Sequence, residues 1–103
     1  MKIELLYFDG CPNVTATLER LKGILAEIGL NAPIILTKVA DREMAQLAGF
    51  LGSPTIRING VDIEPSARSS KDYGLMCRMY EVNGGAPSDA MIRLAVVEAN
   101  GRA

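Results

Sequence analysis

The sequence predicts an α/β fold, a four-strand mixed sheet with helices on both faces, built as one domain over residues 1–103. Three observations favour it. Strand-like and helix-like segments alternate in the first half of the chain, an order that predicts parallel strands joined by crossover helices. Asn59-Gly60 separates two short strand-like runs and indicates an antiparallel hairpin. A periodic apolar segment after Ser88 predicts a closing helix.

The first strand and the first helix surround a cysteine. Residues 2–8 (Lys-Ile-Glu-Leu-Leu-Tyr-Phe) are apolar and aromatic with little alternation, which is typical of a strand buried on both faces. Asp9-Gly10 ends this run, and Pro12 stands where a first helical residue is expected. Apolar residues then recur at spacings of four and three and predict an amphipathic helix closed by Gly29. These apolar positions are Val14, Leu18, Leu21, Leu25 and Ile28.

A second strand and a second helix follow. Residues 32–39 form another strand-like run. Asp41 is expected to cap a short helix that includes Met44 and ends at Gly49. We interpret Met44, and Met91 further along the chain, as core residues on helix faces.

The second half of the chain predicts antiparallel pairing. Residues 54–58 and 61–63 are expected to pair across the Asn59-Gly60 turn, because this dipeptide is a strong hairpin signal between alternating runs. Asp62 and Glu64 resemble the solvated face of a strand, so we do not interpret them as an acid/base couple.

The rest of the chain predicts a loop, a strand and a helix. Residues 64–76 are rich in Ser, Lys, Asp and Gly and indicate a loop. Residues 77–80 are expected to form a further short strand. Residues 83–87 form a turn cluster, and Ser88 is expected to cap the final helix.

The composition excludes several classes of function. The net charge is −1 and the 11 Lys and Arg are scattered, which disfavours a nucleic-acid partner. The apolar runs are much shorter than a membrane span, so no membrane partner is expected. Met1-Lys2-Ile3-Glu4 leads directly into strand-like sequence without the layout of a signal peptide. We therefore expect a cytoplasmic protein whose thiols stay reduced.

The chain has 2 cysteines, Cys11 and Cys77, and no histidine. A zinc site with four Cys or His ligands cannot be assembled from one such chain, and no metal site is predicted. Activation of a cysteine or serine nucleophile by histidine is excluded as well. Thiol chemistry in this chain has to depend on backbone groups, helix ends or carboxylates.

Cys11 is the sharpest chemical feature, because it stands between the first strand and the first helix. Unpaired backbone N–H groups and the positive end of the helix dipole favour the thiolate, the form that attacks disulfides and binds soft metals. The alternative interpretation is a small residue in a tight turn. Asp9 opposes the thiolate if its carboxylate approaches the sulfur, but an aspartate before glycine is ordinary, solvent-facing turn chemistry.

Two motifs carry a resemblance to a known family. Gly10-Cys11-Pro12-Asn13 joins the first strand to the first helix, and Gly52-Ser53-Pro54-Thr55 opens the hairpin about forty residues later. With the βαβ-ββα order of elements, these motifs resemble the thioredoxin superfamily over nearly the whole chain. The sequence is most similar to bacterial thioredoxin-like proteins that have both motifs and a later Cys-Arg-x-Tyr, here beginning at Cys77.

The resemblance implies a site around Cys11. In the superfamily the motif proline is cis and packs against the nucleophilic cysteine, and the residue before it offers its backbone to an extended substrate. By this resemblance Pro54 is cis, and Ser53 borders a groove for a peptide or a thiol beside Cys11. The implied substrate-binding residues are Gly10, Pro12, Asn13, Ser53, Pro54 and Thr55.

The sequence departs from the dithiol members of that family at Val14. This residue stands where they have a second cysteine, and it can neither resolve a mixed disulfide nor donate a hydrogen bond to a thiolate. Exchange through a single cysteine remains possible, with a protein or a small-molecule thiol or disulfide as the partner. Glutathione or another external thiol would then resolve the mixed disulfide. No resident cofactor is predicted. Cys77 is a second candidate, as a resolving cysteine if the two Cα atoms lie within about 7 Å. The alternative is a small buried residue on an edge strand.

Two rival functions remain open at this stage. A binding module without catalysis would hold a peptide, a thiol compound or a soft metal ion such as mercury or arsenic, and Met76 and Met79 beside Cys77 keep the metal hypothesis open. A structural domain would have an inert Cys11. The sequence predicts no oligomeric state.

Overall fold

A computed structural model describes residues 1–80 and 84–101 of the chain. Within these residues the chain forms four strands, three α-helices and one short 3-10 helix. In chain order the elements are β1 (Ile3–Tyr7), α1 (Val14–Ile28), β2 (Ile34–Lys38), α2 (Arg42–Ala48), β3 (Thr55–Ile58), β4 (Val61–Asp62), the 3-10 helix (Pro65–Ala67) and α3 (Asp89–Gly101).

The four strands form one mixed sheet in the order β2-β1-β3-β4. β1 and β2 are parallel, with Leu5 opposite Leu36, as expected for strands joined by a crossover helix. β1 and β3 are antiparallel, with Leu5 opposite Ile56, and β3 continues into β4 through a hairpin. Asn59 (φ 54°) and Gly60 (φ 80°) both have positive φ, the conformation that a two-residue hairpin turn requires. The mixed sheet is confirmed.

Helices cover both faces of this sheet, because neighbouring residues of β1 point in opposite directions. Leu5 belongs to a core that includes residues of α1 and α3, which pack together. Leu6 belongs to a second core with Ala45 of α2. The residues that complete the two buried cores are Ile3, Leu21, Ile24, Leu25, Ile56, Ile58, Ile63, Ile92 and Val96 on the first face, and Val39 and Phe50 on the second.

The expected helix caps are confirmed, with one correction at α1. The Asp41 carboxylate accepts a hydrogen bond from Met44 N (2.9 Å), and Ser88 Oγ accepts one from Met91 N (3.1 Å). However, α1 begins at Val14 with Asn13 as its cap residue, so Pro12 lies in the preceding turn and not in the first helical position. The backbone N–H of Thr17 makes the first helical hydrogen bond, to Asn13 O (3.1 Å).

Two further expectations are corrected. Met44 is 39% exposed, because the short helix α2 buries only Ala45 fully against the sheet. Residues 77–80 form isolated bridges, Ser53 with Cys77 and Tyr80 with Gly84, and no regular strand. Residues 83–87 were expected to form a turn; Asn83 lies outside the described residues. In the part of the chain that the structure describes, no helix has the length and apolar character needed to cross a membrane.

Burial at Leu6 and exposure at Leu47 provide a matched test of the second core. Leu6 is 2% exposed and Leu47 is 83% exposed. We expect Leu6→Ala to lower the free energy of unfolding by about 2–5 kcal/mol, because it leaves a cavity between β1 and α2. Leu47→Ala should change it by less than about 0.5 kcal/mol. Urea unfolding of both variants measures this, and equal effects would contradict the assignment of the second core.

Candidate functional site

Cys11 lies on the turn between β1 and α1, two residues before the helix cap. Its backbone N–H donates to Phe8 O (3.4 Å), which closes the turn. Gly10 has φ 86°, a conformation that a residue with a side chain rarely adopts, so glycine is required there. Asp9, Gly10 and Pro12 are exposed and Cys11 is half-buried. The thiol is therefore accessible at the carboxyl end of β1.

Asp9 is exposed, as its turn position predicts. Its carboxylate lies 2.6 Å from Lys38 Nζ, at the end of the neighbouring strand β2. The hydrogen bond and the negative charge of Asp9 raise the pKa of Lys38. This ion pair neutralises the one carboxylate of the Cys11 turn, which reduces the repulsion that a thiolate would experience.

The second motif lies next to the Cys11 turn and shares a contact residue with it. The Ser53–Pro54 peptide bond is cis. Ser53 Oγ accepts a hydrogen bond from Phe8 N (3.4 Å), while Phe8 O accepts the one from Cys11. The fold thus brings the two motifs to opposite sides of one residue at the end of β1. Ser53, Pro54 and Thr55 are all fully buried.

The backbone of Ser53 is bonded within the chain. Its N–H donates to Met76 O (2.8 Å) and its carbonyl accepts from Arg78 N (3.0 Å). We call residues 76–80 the docked segment. A Cβ added at Gly52 would lie 3.0 Å from Met76 O, so the segment packs closely on this loop. An extended peptide that used the same Ser53 groups would have to displace the docked segment.

Asn13 and Thr55 also have contacts within the chain. A Cβ added at Gly85 would lie only 2.6 Å from Asn13 Nδ2, so the Asn13 amide packs directly on the loop that precedes α3. The hydroxyl of Thr55 donates to Gly52 O and accepts from the Arg78 guanidinium (3.1 Å). These contacts fix the walls of the site; they leave Gly10, Cys11 and Pro12 as its accessible part.

Arg78 anchors the docked segment through a buried ion cluster. Its side chain is 5% exposed, and its guanidinium donates to both carboxylate oxygens of Asp62 (2.7 and 2.8 Å) and to Glu64 (3.2 Å). Asp62 and Glu64 are 8% and 6% exposed. The expectation of a solvated strand face was therefore wrong for these two residues, because a cation from a distant part of the chain covers them.

Tyr80 completes this cluster. Its ring centroid lies 4.3 Å from Arg78 Cζ, and its hydroxyl donates to Pro54 O. Burial raises the pKa of Tyr80, and the charges of Asp62 and Glu64 raise it further, although Arg78 lowers it. Burial by itself lowers the pKa of Arg78, but hydrogen bonds and charge from Asp62, with Glu64, raise it above the ordinary arginine value.

Cys77 is exposed, which corrects the alternative of a buried edge-strand residue. It belongs to the docked segment, whose Arg78 and Tyr80 face inward. The guanidinium of Arg78 is bonded to Asp62 and Glu64, so it does not serve to stabilise a Cys77 thiolate. Both cysteines are free thiols in the structure. A Cys11–Cys77 pairing stays a prediction.

A sulfur-rich cleft surrounds Cys77. Met76, Cys77 and Met79 line one cleft of about 410 Å³, together with Leu51 and Glu64. Over residues 1–80 and 84–101, no group of three His, Cys, Asp or Glu side chains could hold a metal ion. The thioethers of Met76 and Met79 are ligands that select soft ions.

Sequence reasoning identified the two motifs but missed the Arg78 cluster. One signal was present: Arg78 and Tyr80 alternate along the docked segment, and Asp62 and Glu64 alternate along the end of the hairpin. Alternation places each pair on one side of an extended chain. Nothing in the sequence indicates that the two pairs meet.

Comparison of the chain with models of protein families, with curated proteins and with solved structures gives no match. The functional argument therefore depends on the geometry of the site.

Two arginine variants test how much the buried cluster contributes to the stability of the fold. Arg78→Gln should lower the free energy of unfolding by about 3–5 kcal/mol, because it removes the cation from two buried carboxylates. Arg93→Gln is the matched control, since Arg93 pairs with Glu27 (2.8 Å) at the surface; it should cost less than about 1 kcal/mol. Chemical denaturation measures both. Similar values would show that the Arg78 cluster is not a buried ion network.

Tyr80→Phe tests the cluster through the pH dependence of the free energy of unfolding. An unfolded tyrosine loses its proton near pH 10, whereas the folded chain keeps the Tyr80 proton to higher pH. The stability from Tyr80 is thus fully present below pH ~10 and is lost as the pH rises further, by about 1.4 kcal/mol per unit. At pH 8 the variant should be less stable by about 1 kcal/mol, since it loses the bond to Pro54. We expect this gap to narrow above pH 10 in denaturation curves; a constant gap would contradict the shift.

Proposed function

We propose that this chain is a thioredoxin-like protein that carries out single-cysteine thiol–disulfide exchange at Cys11. The observation that supports it most is the position of the Cys11 thiol, half-buried on an exposed turn between β1 and α1 and joined through Phe8 to the loop that contains Pro54. The sulfur is held at a fixed place and remains open to an external reactant. The proposal locates the protein in the cytoplasm, where thiols are kept reduced.

The reaction needs an external disulfide and an external thiol. The Cys11 thiolate attacks one sulfur of a disulfide such as glutathione disulfide. A bond forms between Sγ and that sulfur, the original sulfur–sulfur bond breaks, and the other half leaves as a thiolate. A second external thiolate then attacks the mixed disulfide and releases the Cys11 thiolate. The proposal assigns this step to an external thiol because Val14, which packs against the first core, has no thiol.

The occupied backbone of Ser53 favours a small thiol as the substrate. Both of its polar backbone groups are already bonded to the docked segment, and Ser53, Pro54 and Thr55 are buried. Glutathione disulfide, which joins two tripeptides, can be approached by Cys11 from the accessible turn of Gly10, Cys11 and Pro12 without the backbone groups of Ser53. We therefore expect glutathione disulfide to react with the folded chain faster than an extended peptide disulfide does.

A second candidate function is the binding of a soft metal ion at Cys77. The observation that favours it is the shared cleft of Met76, Cys77 and Met79, which offers one thiolate and two thioether ligands. Here the protein would hold the ion without catalysis. The two functions use different cysteines, so single-cysteine variants distinguish them.

Cys11→Ser and Cys77→Ser form a matched pair that tests the proposal. The folded wild type is incubated with glutathione disulfide, and intact-mass measurement follows the addition of one glutathionyl group. We expect Cys11→Ser to abolish the fast addition and Cys77→Ser to retain it, because the proposal places the reactive thiolate at Cys11, although Cys77 is the more exposed thiol. Reduced glutathione should then restore the starting mass.

Three other outcomes have separate meanings. Equal, slow modification of both cysteines, at the rate of an unstructured thiol peptide, would contradict the exchange function and favour an inert structural domain. Tight mercury binding that Cys77→Ser abolishes and Cys11→Ser retains would favour the metal function. An intramolecular disulfide that either variant abolishes would identify Cys77 as the resolving partner.

A further inference from the structure

A cleft of about 330 Å³ lies between the end of α2, the β3–β4 hairpin and residues 67–73. We call it the arginine cleft, because Arg57 and Arg68 both line it, with Gly49, Ser70 and Tyr73. It contains neither cysteine and none of the residues that the two motifs supply. Its chemistry is therefore separate from the exchange reaction.

Backbone carbonyls hold both arginines in place. Arg57 Nη2 donates to Gly49 O (2.6 Å), and Arg68 Nε donates to Asp62 O (2.8 Å). Among the ion pairs of the described residues, neither arginine has a carboxylate partner. A guanidinium has five N–H donors in a planar fork, so each of these retains donors after its carbonyl bond.

The charge of the cleft is positive. Asp62 contributes the one carboxylate to its lining, and both oxygens of that carboxylate accept from the guanidinium of Arg78, which does not line the cleft. Its charge is therefore compensated by a third arginine. Glu4 stands opposite Arg57 in the register of β1 and β3 but does not line the cleft, so Arg57 and Arg68 are the charged side chains that an anion from solution would meet there.

Two residues with hydroxyl groups, Ser70 and Tyr73, line the cleft with the arginines. A Cβ added at Gly49 would lie 3.6 Å from the Tyr73 ring and 3.7 Å from Arg57 Nη2, so ring and guanidinium are neighbours. Ser70 Oγ accepts from Asp72 N (3.3 Å) and keeps its own O–H to donate. Two cationic forks with two hydroxyls form a donor set for a tetrahedral oxyanion.

We propose that the arginine cleft binds the phosphate group of a small phosphorylated molecule. A phosphate monoester carries about −1.5 to −2 charges near neutral pH, which matches two arginines better than the single charge of a carboxylate does. The volume of the cleft, about 330 Å³, suits a small molecule. The phosphate oxygens accept from Arg57 and Arg68, and the rest of the ligand extends along Tyr73.

Calorimetric titration of the wild type tests whether the arginine cleft binds phosphate. The probes are inorganic phosphate, glucose 6-phosphate and, as the neutral match, glucose, all at constant ionic strength. We expect both phosphates to bind and glucose not to bind. Glucose binding as tightly as its phosphate, or no heat from any phosphate at millimolar concentration, would overturn the proposal.

Variants locate the binding. Arg68 is exposed at the surface, so Arg68→Gln should leave the buried cores intact. It should weaken the binding of glucose 6-phosphate by at least about tenfold, because one charge-assisted hydrogen bond is lost. Arg57→Lys keeps the charge but loses the fork, and should also weaken binding. Arg93→Gln, on α3 and paired with Glu27, is the control and should bind as the wild type does. Equal weakening by Arg68→Gln and Arg93→Gln would show non-specific charge attraction and would refute the site.

Discussion

The Arg78 guanidinium joins parts of the chain that are far apart in sequence. It bonds to Asp62 and Glu64 at the end of the hairpin and to Thr55 at the start of β3, while its backbone N–H bonds to Ser53. Removal of one partner from such a buried cluster leaves uncompensated charge in a region of low dielectric. The cluster therefore holds the docked segment, the hairpin and the Pro54 loop together, along with the backbone bonds of Ser53.

This constraint also determines which ligands can approach the candidate site. Because the docked segment takes the backbone groups of Ser53, the loop that contains Pro54 acts as a buried wall. The accessible chemistry is concentrated in the turn of Gly10, Cys11 and Pro12, where β1 ends. The two cysteines are separated in position by the same arrangement: Cys11 stands on the turn after β1, and Cys77 stands on the outer side of the docked segment with two methionines.

Asp62 connects the buried cluster to the arginine cleft. Its carboxylate faces Arg78, whereas its backbone carbonyl holds Arg68 on the other side. One residue thus positions two arginines, one compensated inside the fold and one available to solution. The difference follows from the direction of each polar group: a carboxylate neutralises the cation that it meets, but a carbonyl only orients it.

The local pattern of the sequence was sufficient for the α-helices and for the four-strand sheet, but not for residues 77–80, which form isolated bridges and no strand. Periodicity defined α1, capping residues such as Asp41 and Ser88 defined helix starts, and Asn59-Gly60 defined the hairpin, because each depends on residues close in the chain. The two motifs around Cys11 and Pro54 were also found from residues close in the chain.

Only the tertiary structure decided that Arg78 meets Asp62 and Glu64, that the docked segment occupies the backbone groups of Ser53, and that two arginines share one cleft. These contacts join residues 6 to 25 positions apart, and their partners are selected by packing rather than by any repeat in the sequence.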